Sequence, residues 1–560
     1  MSKELPAPPQ VLTRQVNYQA DGGAILRQLT SKGLLPVSAA GLPKDCILLD
    51  SADIASKAQL TSIAVLDATV KLTCRGTTVT VDALRSGPDS EGSITRLQNE
   101  LSQYVTDVAP GHLELDIPVD QSITEERERL KATSSAAALR VLASAPVPHP
   151  HLPLLAGAFA FDYLDSFEDL PTVPEGPNTC PDYVFYDAAT ILVTDHQNQS
   201  TTLVGASYDH AGLQARLDEL EAAINQISAD EGAPSGTPAS TPEGAPATTP
   251  AATPEGAATL TAYPTTSDED FAQTVRDLQE HIKAGDIFQV VPSRGYAMEC
   301  PDALAAYRVL RAANPSPYMF YLATEDFQIF GASPESSLLY SVNTGQVTIR
   351  PIAGTRPRGL RADGSIDHEL DIRLELQLRK DEKELAEHLM LVDLARNDVA
   401  RVSVPGTRQV TNLLRVDRYS RVMHLVSEVS GELAPDLDAL DAFRASMTMG
   451  TLTGAPKLRA AELIREVEGV RRGSYGGAVG YLRGDGEFDT CIVIRSAFVK
   501  DGQALVQAGA GVVGHSNPQS EAAETTHKAS AVLHALAAAQ NAKLEIAQNP
   551  KTALAQEVQA

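Results

Sequence analysis

Apolar residues recur along the chain in two patterns, one typical of helices and one typical of strands. The clearest helical pattern spaces Phe271, Val275, Leu278 and Ile282 by four, three and four residues, which places them on one helix face. Ser267 precedes this run as a candidate N-cap, and Gly285 follows it as a candidate C-terminal stop. The spacing therefore predicts a helix between these two residues.

Short apolar runs beside glycine or turn residues predict strands. They are 63–66, 191–194, 287–291, 476–482, 492–499 and 504–513. Helices and strands alternate irregularly, and the sequence has neither the G-x-G-x-x-G nor the G-x-x-x-x-G-K-[ST] pattern of a nucleotide site. We therefore predict an α+β fold with large antiparallel β-sheets and flanking helices.

One segment, 229–259, breaks both patterns. Its uncharged residues are all small or proline, and TPEGA occurs in it twice. Such a segment buries too little apolar area to offset its chain entropy. We interpret it as a flexible linker or exposed insertion between an N-terminal domain (1–228) and a C-terminal domain (260–540), with a tail at 541–560. A partner-docking motif is the alternative, although the segment has no aromatic or large aliphatic anchor.

Length and charge narrow the class of protein. A chain of 560 residues is expected to form more than one domain, and a net charge of −26 disfavours nucleic acid or an anionic membrane as the main partner. The sequence has no apolar run long enough for a membrane span and no secretory signal at its start. Five scattered cysteines without a C-x-x-C pair predict a reduced, cytoplasmic protein.

Two predicted helices each carry a pair of glutamates on one face. The pairs are Glu384 and Glu387 in the segment 381–398, and Glu521 and Glu524, followed by Lys528, in the segment 517–536. Solvated helix faces are the usual explanation of such pairs. If the two pairs met, they would repel each other unless a cation lay among them, and a ligand set of oxygen atoms suits Mg²⁺ better than zinc. The residues alone leave both interpretations open.

Seven longer motifs carry a family resemblance. They are PIAGTRPRG (351–359), KELAEHLMLVDLARND (383–398), VDRYSRVMHLVSEVSG (416–431), TLTGAPK (451–457), YGGAVGY (475–481), CIVIRSA (491–497) and QAGAGVV (507–513). In order and spacing they resemble the chorismate-utilising enzymes and, among these, the family of the anthranilate synthase large component. The resemblance covers nearly the whole chain except the 229–259 segment and the tail. It implies that family's fold of two intertwined domains.

The resemblance implies a metal site and catalytic residues. The implied Mg²⁺ ligands are Glu387 and Glu524, and Glu384 and Glu521 are implied as nearby carboxylates that assist the metal or move protons. His424 and Thr451 are implied as the catalytic pair of an elimination step. Judged without its motif, His424 is more often a buried structural histidine than a catalytic one.

The resemblance also implies the contacts to chorismate. They are Gly354, Thr355, Tyr475, Arg495, Gly509, Ala510, Gly511 and Lys528. The guanidinium of Arg495 matches the geometry of a carboxylate. Gly509 and Gly511 allow backbone N–H groups to approach an anion closely.

A regulatory site for tryptophan in the N-terminal domain is implied by ILLDSADIASK (47–57) and NPSPYMFY (314–321). Its implied residues are Asp50, Ser51, Pro317, Tyr318, Met319 and Cys491. Asp50 can accept from an α-ammonium group, and Tyr318 and Met319 offer an apolar surface to an indole. Asp50 departs from the usual L-L-E-S of the family. Without the paired motifs, Tyr318 and Met319 would be assigned to the core, and Cys491 would be a small buried hydrophobe.

The implied reaction converts chorismate and ammonia into anthranilate and pyruvate, with feedback inhibition by tryptophan. Family members that add water typically carry lysine at the position of Gln289, and the aminodeoxychorismate branch typically carries lysine at Ala353. Neither lysine is present. No cysteine lies in the glycine-flanked setting of an amidotransferase nucleophile, so a separate glutamine amidotransferase subunit and a hetero-oligomer are implied. The alternatives are another chorismate enzyme (an aminodeoxychorismate, isochorismate or salicylate synthase) and a catalytically silent tryptophan-binding regulator.

Overall fold

The computed structural model describes residues 8–51, 60–120, 122–123, 125–227, 258–361, 365–419 and 422–550. The strands of the first half are β1 (Gln10–Val16), β2 (Cys46–Asp50), β3 (Thr61–Arg75), β4 (Thr78–Ala83), β5 (Val105–Ala109), β6 (His112–Asp116), β7 (Leu154–Phe159), β8 (Tyr183–Asp195) and β9 (Ser200–Ser207).

The strands of the second half carry most of the predicted site motifs. They are β10 (Thr259–Pro264), β11 (Gln289–Val290), β12 (Ser293–Glu299), β13 (Tyr318–Ala323), β14 (Gln328–Ser333), β15 (Ser336–Ser341), β16 (Gln346–Ile349), β17 (Ile352–Pro357), β18 (Gln409–Arg418), β19 (Val422–Glu432), β20 (Gly454–Ala455), β21 (Ala478–Arg483), β22 (Phe488–Ile492), β23 (Ser496–Lys500), β24 (Gln503–Gly509) and β25 (Lys543–Ile546).

The helices pack against these strands. They are α1 (Gly22–Ser31), α2 (Pro88–Glu100), α3 (Glu126–Lys131), α4 (Ala137–Ala143), α5 (His210–Ile224), α6 (Asp268–Ala284), α7 (Ala303–Ala313), α8 (His368–Lys380), α9 (Glu382–Val402), α10 (Ala439–Ser446), α11 (Lys457–Glu468) and α12 (Pro518–Ala539). Short 3₁₀ helices lie at Ser102–Tyr104 and Phe161–Ser166. No helix of the described residues is both long and apolar enough to cross a bilayer.

Nearly all the strands belong to one hydrogen-bonded network whose pairs are mainly antiparallel. The exceptions are β10 and β25, which pair in parallel, and β11 and β20, which form a separate two-stranded sheet. This arrangement confirms the predicted α+β class. The two halves of the chain share the network, because β13 pairs with β2 and β21 pairs with β7.

The predicted domain boundaries fall largely where the structure gives no description. Almost all of the predicted 229–259 linker lies outside the described residues, which resume at residue 258. The range predicted as a tail contains β25 (Lys543–Ile546), whose parallel pairing with β10 extends the ordered structure beyond residue 540.

The predicted helix after Ser267 is present as α6. The Ser267 side chain accepts from the backbone N–H of Asp270, and Gly285 ends the helix with a φ of 86°. Positive φ is the conformation for which glycine is preferred at this position. Phe271 and Leu278 are buried, as their spacing predicts.

Two strand predictions were wrong in a way that concerns the site. The run 492–499 is divided between β22 and β23, and Arg495 lies in the gap with a φ of 50°. The run 287–291 keeps only β11 as a strand. In both places apolar residues of β-type composition predicted continuous strands, and the polar residues Arg495 and Gln289 lie where the regular pairing ends.

Candidate active site

The two glutamate-bearing helices approach each other, which their sequences could not establish. Asp381 caps α9 by accepting from the N–H groups of Lys383 and Glu384, and Asn517 caps α12 by accepting from Ser520. Lys383 of α9 lies 3.8 Å from the carboxylate of Glu521 on α12. The glutamates of α9 and α12 therefore face one shared region.

Basic side chains compensate most of the charge of this cluster. Arg356 on β17 forms an ion pair of 2.9 Å with Glu384, and Lys528 forms one of 2.7 Å with Glu524. Glu521 is 3% exposed and has Lys383 as its nearest cation. Glu387 forms no ion pair with any described residue, so its carboxylate is the one available to a further cation.

The protonation preferences of these carboxyl groups follow from burial and from neighbouring charges. Burial, followed by the charge of Glu384, raises the pKa of Glu387. Burial also raises the pKa of Glu521. Burial opposes ionisation of Glu524 as well, but Lys528 outweighs it and lowers the pKa of Glu524. The cluster therefore holds one firmly ionised carboxylate beside carboxyl groups that resist adding more negative charge.

Gln289 on β11 touches two parts of the predicted site. Its Nε2 group donates to Oε1 of Glu387 at 3.3 Å. It also lies against Gly511, where a Cβ atom would come within 2.9 Å of Nε2. The side chain is 1% exposed, and its Oε1 atom has no hydrogen-bond partner among the described residues. This leaves a buried acceptor beside the glutamate cluster.

A bulge in β17 brings together three of the predicted residues. The register of β17 on β19 shifts between Ala353 and Thr355, and Gly354 within the bulge has a φ of 84°. Thr355 pairs with His424, and its hydroxyl lies 2.9 Å from Nδ1 of that histidine. A Cβ atom at Gly354 would lie 3.2 Å from Glu384, so glycine keeps this approach open.

His424 is a neutral imidazole at physiological pH. Burial and the nearby Arg495 guanidinium lower the pKa of His424 to about 4. A neutral imidazole has one ring nitrogen that can accept a proton. The histidine is buried, as a structural residue would be, but its placement beside Arg495 and Thr355 is that of a site residue.

Arg495 supplies a positive charge without a compensating carboxylate. Burial lowers the pKa of Arg495, and Tyr475 and Glu524 are the neighbours that oppose this shift. It forms no ion pair within the described part of the chain. A partly buried cation of this kind gains free energy when an anion binds, and its planar fork fits a carboxylate.

The predicted glycine segment lies next to Tyr475 and Lys528. The Tyr475 hydroxyl is 3.0 Å from the position that a Cβ atom of Gly509 would occupy, and Lys528 donates to the Gly509 carbonyl at 3.0 Å. The N–H group of Ala510 already donates to the Pro292 carbonyl at 3.2 Å. The predicted contact of Ala510 with a ligand therefore cannot come from a free N–H group.

Sequence reasoning missed Glu335, which lies between β14 and β15. Burial raises the pKa of Glu335 to about 8, and the neighbouring Thr451 hydroxyl and the charge of Lys528 partly oppose this rise. At pH 7 the group is therefore a protonated carboxylic acid. In the sequence, Glu335 is a single glutamate in the run FGASPESS. No second carboxylate lies at helical spacing from it, so no pattern marked it as a site residue.

Three buried polar atoms of this region lack hydrogen-bond partners among the described residues. They are Oε1 of Glu335, Oγ1 of Thr451 and Oε1 of Gln289. Buried polar groups are nearly always paired in folded proteins, so a group of unpaired atoms indicates a place where a polar ligand binds. Together with Arg495 they outline a site for a small, polar anion.

The structure also brings the six predicted regulatory residues together. Met319 pairs with Asp50 across β13 and β2, and the Ser51 hydroxyl donates to the Pro317 carbonyl at 2.9 Å. Tyr318 donates to Asp489 at 3.1 Å, and Cys491 lies two residues further along β22. The predicted segments thus form one surface in the described part of the chain, while residues 52–57 of the first motif lie outside it.

Asp50 is more heavily bonded than its predicted role suggests. Its carboxylate accepts from Arg311, Tyr307, Ser62 and the N–H group of Ser51. Burial opposes ionisation of Asp50, but Arg311 outweighs it and lowers the pKa of that carboxyl. The predicted bond to an α-ammonium group would have to displace one of these donors, whereas the present bonds hold Ser51 in place.

Comparisons with known proteins show which family this chain resembles. A family profile described as chorismate binding enzyme matches residues 103–534. Anthranilate synthase component 1 of Vibrio cholerae is 47% identical over 96% of this chain and 98% of its own length, and that of Escherichia coli is 49% identical over 89% and 93%. A crystal structure of anthranilate synthase component I from Streptococcus pneumoniae is 29% identical, with a TM-score of 0.64 over 86% of this chain and 93% of that chain.

Proposed function

The chain belongs to the chorismate-binding enzymes, in the family of anthranilate synthase component 1, and on that premise we propose that it converts chorismate and ammonia into anthranilate and pyruvate. The proposal rests on two features found together. Arg495 has no carboxylate that compensates its charge, and polar atoms of Glu335, Thr451 and Gln289 have no hydrogen-bond partner among the described residues. Chorismate is a small dianion with a hydroxyl group and an ether, and it offers partners for each of these groups.

Gln289 supports ammonia rather than water as the nucleophile. Its buried carbonyl oxygen can accept a hydrogen bond from ammonia and leaves the nitrogen lone pair free to attack ring C2. Gln289 cannot remove a proton, as a neutral lysine could from water. Ala353 likewise offers no amine that could attack the ring in place of ammonia.

Glu335 is the best placed acid for the first half of the reaction. Attack at C2 shifts the ring double bonds and expels the C4 hydroxyl, which needs a proton to leave as water. A carboxylic acid whose pKa is about 8 is protonated at pH 7 and can donate it. Glu384 already forms an ion pair of 2.9 Å with Arg356 and is less suited to this step.

His424 serves the second half. The amino intermediate loses its C2 proton as the C–O bond to the enolpyruvyl group breaks, which yields the aromatic ring and releases pyruvate. A neutral imidazole whose pKa is about 4 can accept a proton or contact the ether oxygen. The Thr355 hydroxyl holds its ring through Nδ1.

Glu387 and Glu524 are the residues that would hold Mg²⁺. Among the described residues no group of three or more histidine, cysteine, aspartate or glutamate side chains is arranged to hold a metal by itself. That fits Mg²⁺, which takes one or two protein carboxylates and completes its shell with water and substrate oxygens. The raised pKa of Glu387 and its lack of an ion pair among the described residues support a cation-binding role for this carboxylate. Bound Mg²⁺ would polarise and orient the ring carboxylate of chorismate.

A separate subunit would supply the ammonia by hydrolysing glutamine. The five cysteines of this chain are all buried, and burial raises the pKa of Cys46, Cys74, Cys180 and Cys300. A buried thiol with a raised pKa is poorly suited to attack on glutamine.

We place feedback inhibition by tryptophan at the surface formed by Ser51, Pro317 and their neighbours.

The test is a reaction of the purified chain with chorismate, ammonium and Mg²⁺, followed by anthranilate fluorescence. Anthranilate should form without glutamine or a second protein. Excess chelator should stop the reaction, and added Mg²⁺ should restore it. Conversion of chorismate into an unaromatised isomer, or no conversion at all, would contradict the proposal.

A further inference from the structure

Arg472 is a buried cation that follows helix α11 by four residues. It is 2% exposed, and two of its nitrogens donate to the carboxylate of Glu468, the last residue of α11, at 2.9 Å and 2.6 Å. A buried ion pair adds little net stability over well-packed apolar residues of the same volume. Stability alone therefore gives little reason for a guanidinium at this place, and its other bonds point to a second role.

The remaining bonds of Arg472 reach two backbone segments of the active site. One terminal nitrogen donates to the carbonyl of Leu452 at 2.8 Å, and the other donates to the carbonyl of Val291 at 2.7 Å. Leu452 directly follows Thr451, and Val291 follows Gln289 by two residues. One planar guanidinium thus joins the segments that carry two of the three unpaired polar atoms of the site.

Glu468 extends the same connection to a third segment. Its Oε1 atom accepts from the N–H group of Ser293 at 2.7 Å and from the Ser293 hydroxyl at 2.9 Å. Ser293 pairs with Gly509 across β12 and β24. The carboxylate therefore fixes the chain just after β11 next to the glycine segment, and its two bonds to Arg472 hold the guanidinium fork in one orientation.

Tyr475 lies close to the guanidinium of Arg472. The central carbon of the guanidinium is 5.5 Å from the centroid of the Tyr475 ring and 4.7 Å from that of the Phe161 ring. A cation within about 6 Å of an aromatic ring centroid is attracted to the ring. Burial raises the pKa of Tyr475 to about 12, and the charge of Arg472 opposes this rise. A predicted chorismate contact therefore depends on the same side chain.

The short pairing of β11 with β20 explains why Gln289 needs such support. Each strand has two residues, with Gln289 paired to Ala455 and Val290 paired to Gly454. So short a sheet has few backbone bonds to fix the chain, and two-stranded sheets are marginally stable even when they are longer. A misplacement of about 1 Å in an active site can lower a rate about a hundredfold. The bond from Arg472 to the next carbonyl after β11 supplies a fixed point beside Gln289.

We propose that Arg472, oriented by Glu468, is a positioning residue that fixes Gln289 and Thr451 for the attack of ammonia on chorismate. The proposal rests on the proposed function, in which Gln289 receives ammonia as the nucleophile. Arg472 acts through the residues that it holds, because its bonds go to Glu468 and to two backbone carbonyls. Lysine cannot replace it, since an ammonium group has the same charge but lacks the planar fork that reaches several acceptors at once.

The test compares Arg472→Lys with the wild type and with the matched control Arg465→Lys. Arg465 lies on α11 and is 4% exposed, and its guanidinium donates to Asp162 and Asp165 at 2.7 Å. Both substitutions therefore remove a buried fork from an ion pair, but only one of them removes bonds to the carbonyls near Gln289. Thermal unfolding measures the stability of every chain, and initial rates give kcat and KM for ammonium at saturating chorismate.

The kinetic constants separate positioning from a loss of stability. Arg472→Lys should lower kcat/KM for ammonium at least about tenfold, because the fork that fixes the site is gone. Arg465→Lys should stay within about twofold of the wild type at a temperature where all chains are folded, even though its melting temperature falls as well.

A second substitution, Gln289→Met, shows whether Arg472 acts through Gln289. In the wild type and in Arg465→Lys it should lower kcat/KM for ammonium about three- to tenfold, the effect of one hydrogen bond. In Arg472→Lys it should lower this constant less than about twofold, because the amide is already out of position. Residues that act as one unit show such non-additive effects, whereas independent residues do not.

Glu468→Gln is the second variant of the pair. It keeps the volume of the side chain but loses the charge that orients the fork of Arg472. It should lower kcat/KM for ammonium in the same direction, and Gln289→Met should again add less than about twofold. This variant decides the question if thermal unfolding shows that Arg472→Lys does not fold.

Equal factors for Gln289→Met in all backgrounds would overturn the proposal. Equal losses of rate in Arg472→Lys and Arg465→Lys would also overturn it, because Arg472 would then have only a structural role. A wild type that forms no anthranilate from ammonium would instead contradict the proposed function. An active wild type with either of the first two results contradicts the positioning role alone.

Discussion

Gln289 donates from Nε2 to Oε1 of Glu387 at 3.3 Å and leaves its own buried oxygen without a partner among the described residues. The bond orients the amide, because a carboxylate can accept from its NH₂ group but not from its carbonyl. The residue expected to distinguish ammonia from water is thus fixed in place by a predicted Mg²⁺ ligand.

Replacing Gln289 by methionine should weaken the use of ammonia more than the binding of chorismate. The side chain keeps a similar volume but loses the acceptor. The KM for ammonium should rise about three- to tenfold, the magnitude of one hydrogen bond, while the KM for chorismate changes little. Initial rates at varied ammonium and saturating chorismate measure this. Equal changes in both constants would show that Gln289 shapes the pocket in general.

Glu335 should act only in its protonated form. The kcat of the wild type, measured at constant free ammonia, should fall as the pH rises through about 8, where Glu335 ionises. Glu335→Gln should lower kcat by at least about a hundredfold, because a buried amide cannot donate a proton to the leaving hydroxyl. A variant with a normal rate would exclude Glu335 as the acid.

The same substitution should change how stability depends on pH. The folded-state pKa of Glu335, about 8, lies above its ordinary value of 4.5. Its protonated form therefore stabilises the folded protein fully below pH 4.5, and this contribution is lost as the pH rises through about 8. The amide introduced by Glu335→Gln does not titrate. Thermal unfolding should therefore favour the variant over the wild type increasingly as the pH rises from 4.5 to about 8, and the difference should level off above that pH. Parallel curves across this range would contradict the raised pKa.

His424→Met should separate the two halves of the reaction. Attack of ammonia needs no base at this position, whereas loss of the C2 proton and of pyruvate does, so the amino intermediate should accumulate while anthranilate nearly disappears. Chromatography of the quenched reaction measures both species. The Thr355→Val variant is a control that loses the hydroxyl on Nδ1 but keeps the ring, and it should accumulate less intermediate.

Tryptophan should raise the apparent KM for chorismate through the surface around Ser51. Ser51→Phe should relieve this inhibition, because the larger side chain fills the space next to the Pro317 carbonyl. The rate of the variant without tryptophan should stay near normal. Tryptophan affects the chorismate site only because the two ligands prefer different conformations, so a change that blocks tryptophan binding removes the inhibition and leaves catalysis unchanged. Equal tryptophan sensitivity of the variant and the wild type would place the inhibitor elsewhere.

The sequence predicted the elements of the site better than their assembly. Helical spacing located α9 and α12, because local periodicity records which face of a helix is polar. Nothing local shows that Lys383 reaches Glu521 across the two helices. Glu335 was missed because its raised pKa comes from burial by residues distant in the chain. The break at Arg495 was missed because apolar β-type residues continue on both sides of it.

Leu389 shows a further limit of the pattern. Its spacing with Leu385 and Val392 puts the three residues on one apolar face of α9, yet Leu389 is 46% exposed while Val392 is buried. A periodic apolar position says that a residue avoids water and does not say whether the same chain or another one covers it.

The central claim, that this site adds free ammonia to chorismate and aromatises the product, is tested most directly with ammonium labelled with heavy nitrogen. The purified chain is incubated with labelled ammonium, chorismate and Mg²⁺, and the masses of the products are measured by mass spectrometry. The account predicts anthranilate that carries the label, together with an equal amount of pyruvate, and neither product from Glu387→Ala. Unlabelled isochorismate, or a labelled product that retains its enolpyruvyl group in the wild type, would contradict it.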